Sequence, residues 1–366
     1  MRILMIGDVT PWHPMAGGAA VTPFSLASAL AAAGHEVDYV ALAPESLQRE
    51  VGWGGITYVE STNRYISPFL QYLKTRRGLT AYDIVHAHGI EGLGFAIHRR
   101  VFRDIKFVNG LYSGTVNRFP WNIRSLFDAY CYFSCKYADM VTTNSQHAKS
   151  QIHNSYGIAT SSIGVMYIGA DESFLRTDAP QRNANHFSLL FCGFLGGPRQ
   201  VKGVDVLLQA MPAILGAHEA TLHIVGTGEH IDRYKTMCVD LGIQDHVRFL
   251  GFVDHSKLPL WFSSADLFVL PSRSESMPVA VAEAMASALP VVSTTVGGIP
   301  ELVDDGQTGV LVPPNDPLAL THAINALLDD PDTMRAMGAR GRQRVKEHFT
   351  WDKVAQRVLG FYQEIL

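Results

Sequence analysis

Asp266-Leu-Phe-Val-Leu270-Pro-Ser-Arg-Ser-Glu275-Ser-Met-Pro-Val-Ala280-Val-Ala-Glu283-Ala-Met-Ala286 reads as a strand, a loop and a helix in immediate succession. The apolar run Leu267 to Leu270 is short and continuous, as in a strand buried on both faces, and Pro271 with Ser272 stops it. Pro278 suits the first turn of a helix, where a missing N–H costs nothing, and the alanines that follow are strong helix formers. Glu275 therefore falls in the loop and Glu283 inside the helix. A helix start offers unpaired backbone N–H groups and a partial positive charge of about half an electron, which suits phosphate oxygens. Two carboxylates flanking such an anion site are expected to accept hydrogen bonds from hydroxyl groups.

Outward from this junction, short apolar runs alternate with Ala- and Leu-rich stretches, the pattern of doubly wound parallel sheets. Strands are predicted at 3–6, 37–42, 84–87, 105–108 and 140–143, and again at 187–192, 221–225, 247–250, 267–270 and 290–293. Between the two sets, Thr177-Asp-Ala-Pro-Gln-Arg-Asn-Ala-Asn185 is polar and aperiodic, which predicts a linker over 177–186. The chain then divides into a Rossmann-like domain at 1–176, a second at 187–349 and a final helix at 350–366. Ligands of such sheets sit at the carboxyl ends of the strands, so two domains are expected to direct their loops into one shared crevice.

The bulk numbers describe an ordinary globular chain: 366 residues, 47% hydrophobic and 17% charged, enough for two well-filled cores. A formal charge of −4 gives no reason to expect nucleic acid. The start, Met-Arg-Ile-Leu-Met-Ile-Gly7, reads as a strand and not as a signal peptide, and no apolar run has the length of a membrane span, so a cytoplasmic location is expected. Cys131, Cys135, Cys192 and Cys238 are too few and too scattered for a disulfide framework, and no Cys or His cluster has zinc-finger spacing. Asp330-Pro-Asp332 and Asp304-Asp305 read as a helix cap and a turn. No signal speaks to oligomeric state.

The junction and several further motifs together resemble the retaining glycosyltransferases of family four, which have the GT-B architecture. The motifs are Gly17-Gly18 with Leu26-Ala-Ser-Ala-Leu30 and Gly34-His-Glu-Val37, Asp83-Ile-Val-His-Ala-His88, Ile168-Gly-Ala-Asp171, Lys202-Gly203, and Gly297-Gly-Ile-Pro-Glu301 with Gly309. They span the chain in the family's order. The resemblance implies an α/β GT-B fold, two Rossmann-like domains facing across a cleft. The first would take the acceptor, the second the nucleotide sugar, and the C-terminal helix would cross back to the first. It also implies a donor that is a nucleotide diphosphate sugar, with UDP- and GDP-sugars both open. The acceptor would be a glycan, a lipid-linked hydroxyl or a small molecule.

Roles follow from the same resemblance. Lys202 matches the phosphate-binding lysine, Glu283 the acid that accepts from ribose hydroxyls, and Glu275 the acid near the donor sugar. Backbone groups of Ser276, Met277 and Val279, beside Pro278, are candidates for sugar and phosphate contacts, and Val253 for the base. Gly17 and Gly18 let backbone approach a ligand closely before a helix start. His88 closes its strand at the ligand end, and His86 is expected to face the other way. Two departures stand out. Phe194 occupies the family's usual arginine position, and Arg199 in the lengthened loop Gly193-Phe-Leu-Gly-Gly-Pro-Arg-Gln-Val-Lys-Gly203 is the candidate replacement. Asn109 stands where a histidine is common; it can hydrogen-bond a hydroxyl but cannot take a proton. Retention tolerates this, because the departing phosphate can receive the acceptor's proton. Fixed cations and a helix start can neutralise the diphosphate, so no metal or other cofactor is expected.

Tyr65-Ile-Ser-Pro-Phe-Leu-Gln-Tyr-Leu-Lys-Thr-Arg-Arg77 joins an apolar face to a basic end. Two readings stay open, a packed helix with a solvated end and a peripheral contact with the cytoplasmic face of an anionic membrane. A dinucleotide-dependent dehydrogenase fits Val225-Gly-Thr-Gly-Glu229 poorly, because Ile231 stands where the third glycine belongs. A GT-B epimerase shares the architecture, but the two glutamates with Lys202 favour transfer. A non-catalytic subunit that binds a sugar nucleotide fits Phe194 and Asn109.

Overall fold

The computed structural model describes residues 1–9, 18–42, 56–61, 81–88, 105–112, 129, 131–176, 186–197 and 200–366. The predicted linker lies outside these residues except at its last position. The chain forms two compact units, Met1–Gly169 together with Trp351–Leu366, and Ala170–Thr350.

The first unit holds a parallel sheet of seven strands in the order β3-β2-β1-β4-β5-β6-β7. These are β1 (Arg2–Val9), β2 (Glu36–Leu42), β3 (Ile56–Ser61), β4 (Ile84–His88), β5 (Lys106–Gly110), β6 (Met140–Thr143) and β7 (Ile163–Val165). Ile3 to Ile6 and Val85 are fully buried, as continuous apolar runs in a two-sided sheet require. The C-terminal helix Trp351–Ile365 belongs to this unit. Its Trp351, Val354, Ala355, Val358 and Tyr362 recur at helical spacing and join Ile3, Met5, Leu26 and Leu30 in one core cluster.

The second unit has six parallel strands in the order β10-β9-β8-β11-β12-β13. They are β8 (Phe187–Cys192), β9 (Ala220–Val225), β10 (Val247–Gly251), β11 (Leu267–Leu270), β12 (Val291–Thr294) and β13 (Gly309–Val312). Leu267 to Leu270 are wholly buried, each side chain contributing about 1.5–3 kcal/mol. Strand order reverses between β8 and β11, which pair through Leu189↔Leu267 and Leu190↔Phe268. At such a reversal the following loops diverge and leave a crevice at the carboxyl ends. The first sheet has the equivalent point between β1 and β4.

Every predicted strand is present, with ends shifted by one to three residues at most. Three strands absent from the sequence reading, β3, β7 and β13, are all sheet edges. β7 has three residues and β13 opens on Gly309, so neither carries an apolar run long enough to stand out.

The β8 and β11 loops meet at Gly203, whose φ of 68° lies in the left-handed region and whose added Cβ would fall on the Pro271 carbonyl oxygen. Gly203→Ala is expected to destabilise the second unit by more than about 1 kcal/mol in urea unfolding, because both backbone conformation and space oppose a side chain.

Candidate functional site

At the reversal point the β8 loop delivers Lys202 and the β11 loop delivers Glu275. Lys202 Nζ donates to Glu275 Oε1 at 2.6 Å, and Ser272 Oγ donates to the same oxygen at 2.8 Å. The glutamate side chain is 9% exposed and the lysine 26%. Arg273, between them in sequence, is committed elsewhere. Its guanidinium makes two 2.7 Å bonds to the Asp205 carboxylate and donates to the Gln200 carbonyl at 2.8 Å and to Asn315. That fork ties the β11 loop to the start of the helix Val204–Ala217.

The helix Val279–Ala286 follows, with Pro278 as its N-cap, one position earlier than predicted. Met277 and Pro278 are buried, and the Ser276 carbonyl accepts from the Gly298 N–H at 2.8 Å. Gly297, with a φ of 62°, lets the loop after β12 pass against the Glu275 carbonyl. The backbone from Ser276 to Val279 is thereby held directly beside the Lys202–Glu275 pair.

Glu283 lies in the second turn of this helix and is 4% exposed. Its Oε1 meets Nε2 of His255 at 2.8 Å. His255 opens the short turn His255–Lys257 after β10, capped by Asp254, which accepts from the Ser256 N–H at 2.9 Å. Val253, half-buried, belongs to the same loop. The Phe174 ring stands edge-on to the imidazole at 5.6 Å. The hydrogen bond to Glu283 raises the His255 pKa against the opposing effect of burial. Cys192, the last residue of β8, has its thiol pushed up by burial and then by the Glu283 carboxylate, with Lys202 acting the other way. His255 is the functional side chain the sequence reading missed. It stands 28 positions before Glu283, too far for strand or helix periodicity to link the two.

The first unit carries the remaining candidates. His88 is buried, its Nδ1 bonded to the Tyr112 hydroxyl, and its Nε2 has no partner among the described residues. The expectation that His86 faces away is wrong. The two rings stack with centroids 4.2 Å apart, because residues two apart on a strand share a face. His86 bonds Tyr362 at 2.8 Å through Nδ1 and Thr142 at 2.9 Å through Nε2. Burial pushes its pKa down to about 3, and burial with the neighbouring His86 holds His88 well below the usual range, so both rings are neutral. Asn109, on the adjacent strand, donates to Cys135 Sγ at 3.6 Å, and its Oδ1 has no partner among the described residues. Gly18 opens the helix Gly18–Ala32. Gly17, Arg199 and Tyr65 to Arg77 lie outside the described residues. None of the four cysteines forms a disulfide, Asp330 caps its helix by accepting from Thr333 N–H, and Asp305 accepts from Leu311 N–H in its turn. Among the described residues no group of three or more His, Cys, Asp or Glu could hold a metal, and no helix is long and apolar enough to cross a membrane.

Residues 186–330 match the family model described as glycosyl transferases group 1, and residues 16–174 that of glycosyltransferase family 4. An uncharacterised glycosyltransferase of Methanocaldococcus jannaschii is 25% identical over 99% of this chain and 98% of its own length. Among solved structures, sucrose-phosphate synthase of Thermosynechococcus elongatus superposes with a TM-score of 0.83 at 23% identity, over 100% of this chain and 98% of that one. HepE of Anabaena, solved in complex with UDP-glucose, gives 0.79 at 19% identity over 100% of both chains. At such identities the two structures speak to the fold, and they carry the same pair of parallel-sheet α/β domains. With both units matched in order, and Lys202 and Glu275 meeting in the loops after β8 and β11, the chain belongs to the group 1 glycosyltransferases of family 4 and has the GT-B fold.

Proposed function

We propose that this glycosyltransferase retains anomeric configuration, moving a hexosyl group from a UDP- or GDP-sugar to a hydroxyl of a glycan, lipid-linked or small-molecule acceptor, with no metal. The observation that carries the reading is the 2.6 Å Lys202–Glu275 pair at the reversal point of the second sheet, beside a helix start. A lone ion pair of this kind would tie two loops together and nothing more. Here the same loop also presents the backbone from Ser276 to Val279 and leads to the buried Glu283.

When donor binds, its diphosphate takes the place of Glu275 as acceptor from Lys202. Glu275 then accepts from the donor's hexose hydroxyls and steadies positive charge at the anomeric carbon. Glu283 accepts from ribose hydroxyls, and the Val253 segment meets the base. Arg199 supplies the second positive charge that Phe194 does not. In the transfer step the bond from the anomeric carbon to the β-phosphate oxygen breaks and the acceptor oxygen bonds to that carbon. The acceptor's proton passes to the departing phosphate on the same face. No side-chain base is required, which suits Asn109 and the neutral, buried His88. The UDP-glucose complex of Anabaena HepE supports a nucleotide sugar as donor.

Lys202→Ala is expected to lower kcat for transfer or donor hydrolysis about a hundredfold or more, with a smaller effect on donor KM. An unchanged kcat in a folded variant would remove Lys202 from the mechanism. UDP-, GDP- and ADP-sugars at one common concentration are expected to separate in thermal unfolding, the true donor adding about 2.7 kcal/mol where that concentration is 100 times its Kd. The product anomer, read by NMR, is expected to match the donor's. Stabilisation without transfer or hydrolysis would instead identify a sugar-nucleotide-binding subunit.

A further inference from the structure

The two acids of the site have counter-ions of different kinds. Glu275 faces a lysine, Lys202. Glu283, more deeply buried, faces a histidine at 2.8 Å. Histidine is the side chain whose charge changes between about pH 5 and 8. The imidazole is 38% exposed, so protons reach it from solvent. Three acids face it, Glu283 from the following helix, Asp171 ahead of the helix Glu172–Arg176, and Asp254 beside it. The nearby cation is Lys257 on the same turn, which acts on Asp254. The Cys192 thiol, raised by burial and by Glu283, is protonated and supplies no charge.

We propose that His255 is a positioning residue for the donor: it holds Glu283 by Oε1, leaves Oε2 to the nucleotide's ribose, and supplies a counter-charge that comes and goes with pH. This rests on the reading of Glu283 as the ribose-binding acid. Doubly protonated, His255 cancels the buried carboxylate while the dianionic diphosphate approaches. Neutral, it still donates through Nε2–H, so the geometry persists but the local charge falls by one. Donor affinity therefore declines as pH rises through the His255 pKa. The transfer step, centred on Lys202 and Glu275, feels the change less.

The test measures binding of UDP-glucose and GDP-glucose by calorimetry between about pH 5.5 and 8.5, a window in which neither diphosphate diester titrates. For whichever binds, the wild-type Kd is expected to rise about three- to tenfold across the window. His255→Gln, which can donate but not ionise, is expected to give a flat profile near the wild-type high-pH value. His255→Ala is expected to weaken binding about tenfold at the acid end through loss of the bond. By NMR the His255 ring is expected to titrate above its ordinary value and to fall back in Glu283→Gln. Urea unfolding of each variant checks that it is folded.

His255→Gln tracking the wild type at every pH would overturn the proposal, as would a ring titration indifferent to Glu283→Gln. If Glu283→Gln weakens binding and the His255 variants do not, only the role of His255 fails. If Glu283→Gln binds both sugar nucleotides as tightly as the wild type, the ribose assignment fails with it.

Discussion

The ion pair of Lys202 and Glu275 is the constraint around which the second unit is arranged. Two charges this close, with the carboxylate nearly out of water, stay favourable only while both partners and their hydrogen bonds are in place. Ser272 satisfies a further lone pair, and Arg273 fastens the same loop through Asp205, so the chain between the strand end and the helix has little freedom. Gly203 and Gly297 then let neighbouring loops close over backbone where any side chain would collide. Stability of the loop and readiness of the site come from the same contacts. In the proposed function, this satisfied pair is the ground state that the donor's diphosphate enters by exchanging one acceptor for another.

The first unit solves a related problem without charge. His86, His88, Tyr112, Tyr362 and Thr142 form a buried polar cluster at the carboxyl end of the central strands, and desolvation keeps both imidazoles neutral. Neutral rings cost far less to bury than imidazolium ions, and a stacked pair of cations would repel. Through Tyr362 the last helix of the chain thus touches the strand that carries His88.

Central strands and the loop position of Glu275 were legible because they depend on local chemistry: apolar β-branched runs for the former, Pro271 and Pro278 as bounds for the latter. Three of the four edge strands were not legible, since runs of three to six residues carry too little apolar patterning, whereas Val247 to Leu250 at the fourth edge was. Lys202 stands out from its loop, yet its bond to Glu275 spans 73 residues and had to be seen in the fold. His255 left no trace in the sequence at all, because its importance lies in the distance to Glu283. The misplacement of His86 had a different origin, since strand periodicity alone puts it on the side of His88.

The chain leaves the first unit after Gly169 and re-enters it at Trp351, and the ends of the intervening stretch are bonded, Ala170 N–H to the Phe349 carbonyl at 2.8 Å. The second unit is therefore topologically an insertion with adjoining termini, while the first is split in two. During synthesis from the N-terminus, everything the inserted unit needs has been made before the helix bearing Val354, Val358 and Tyr362 exists. The half that begins first therefore closes only after the inserted half has been made, its apolar face waiting on a helix that lies beyond the insertion.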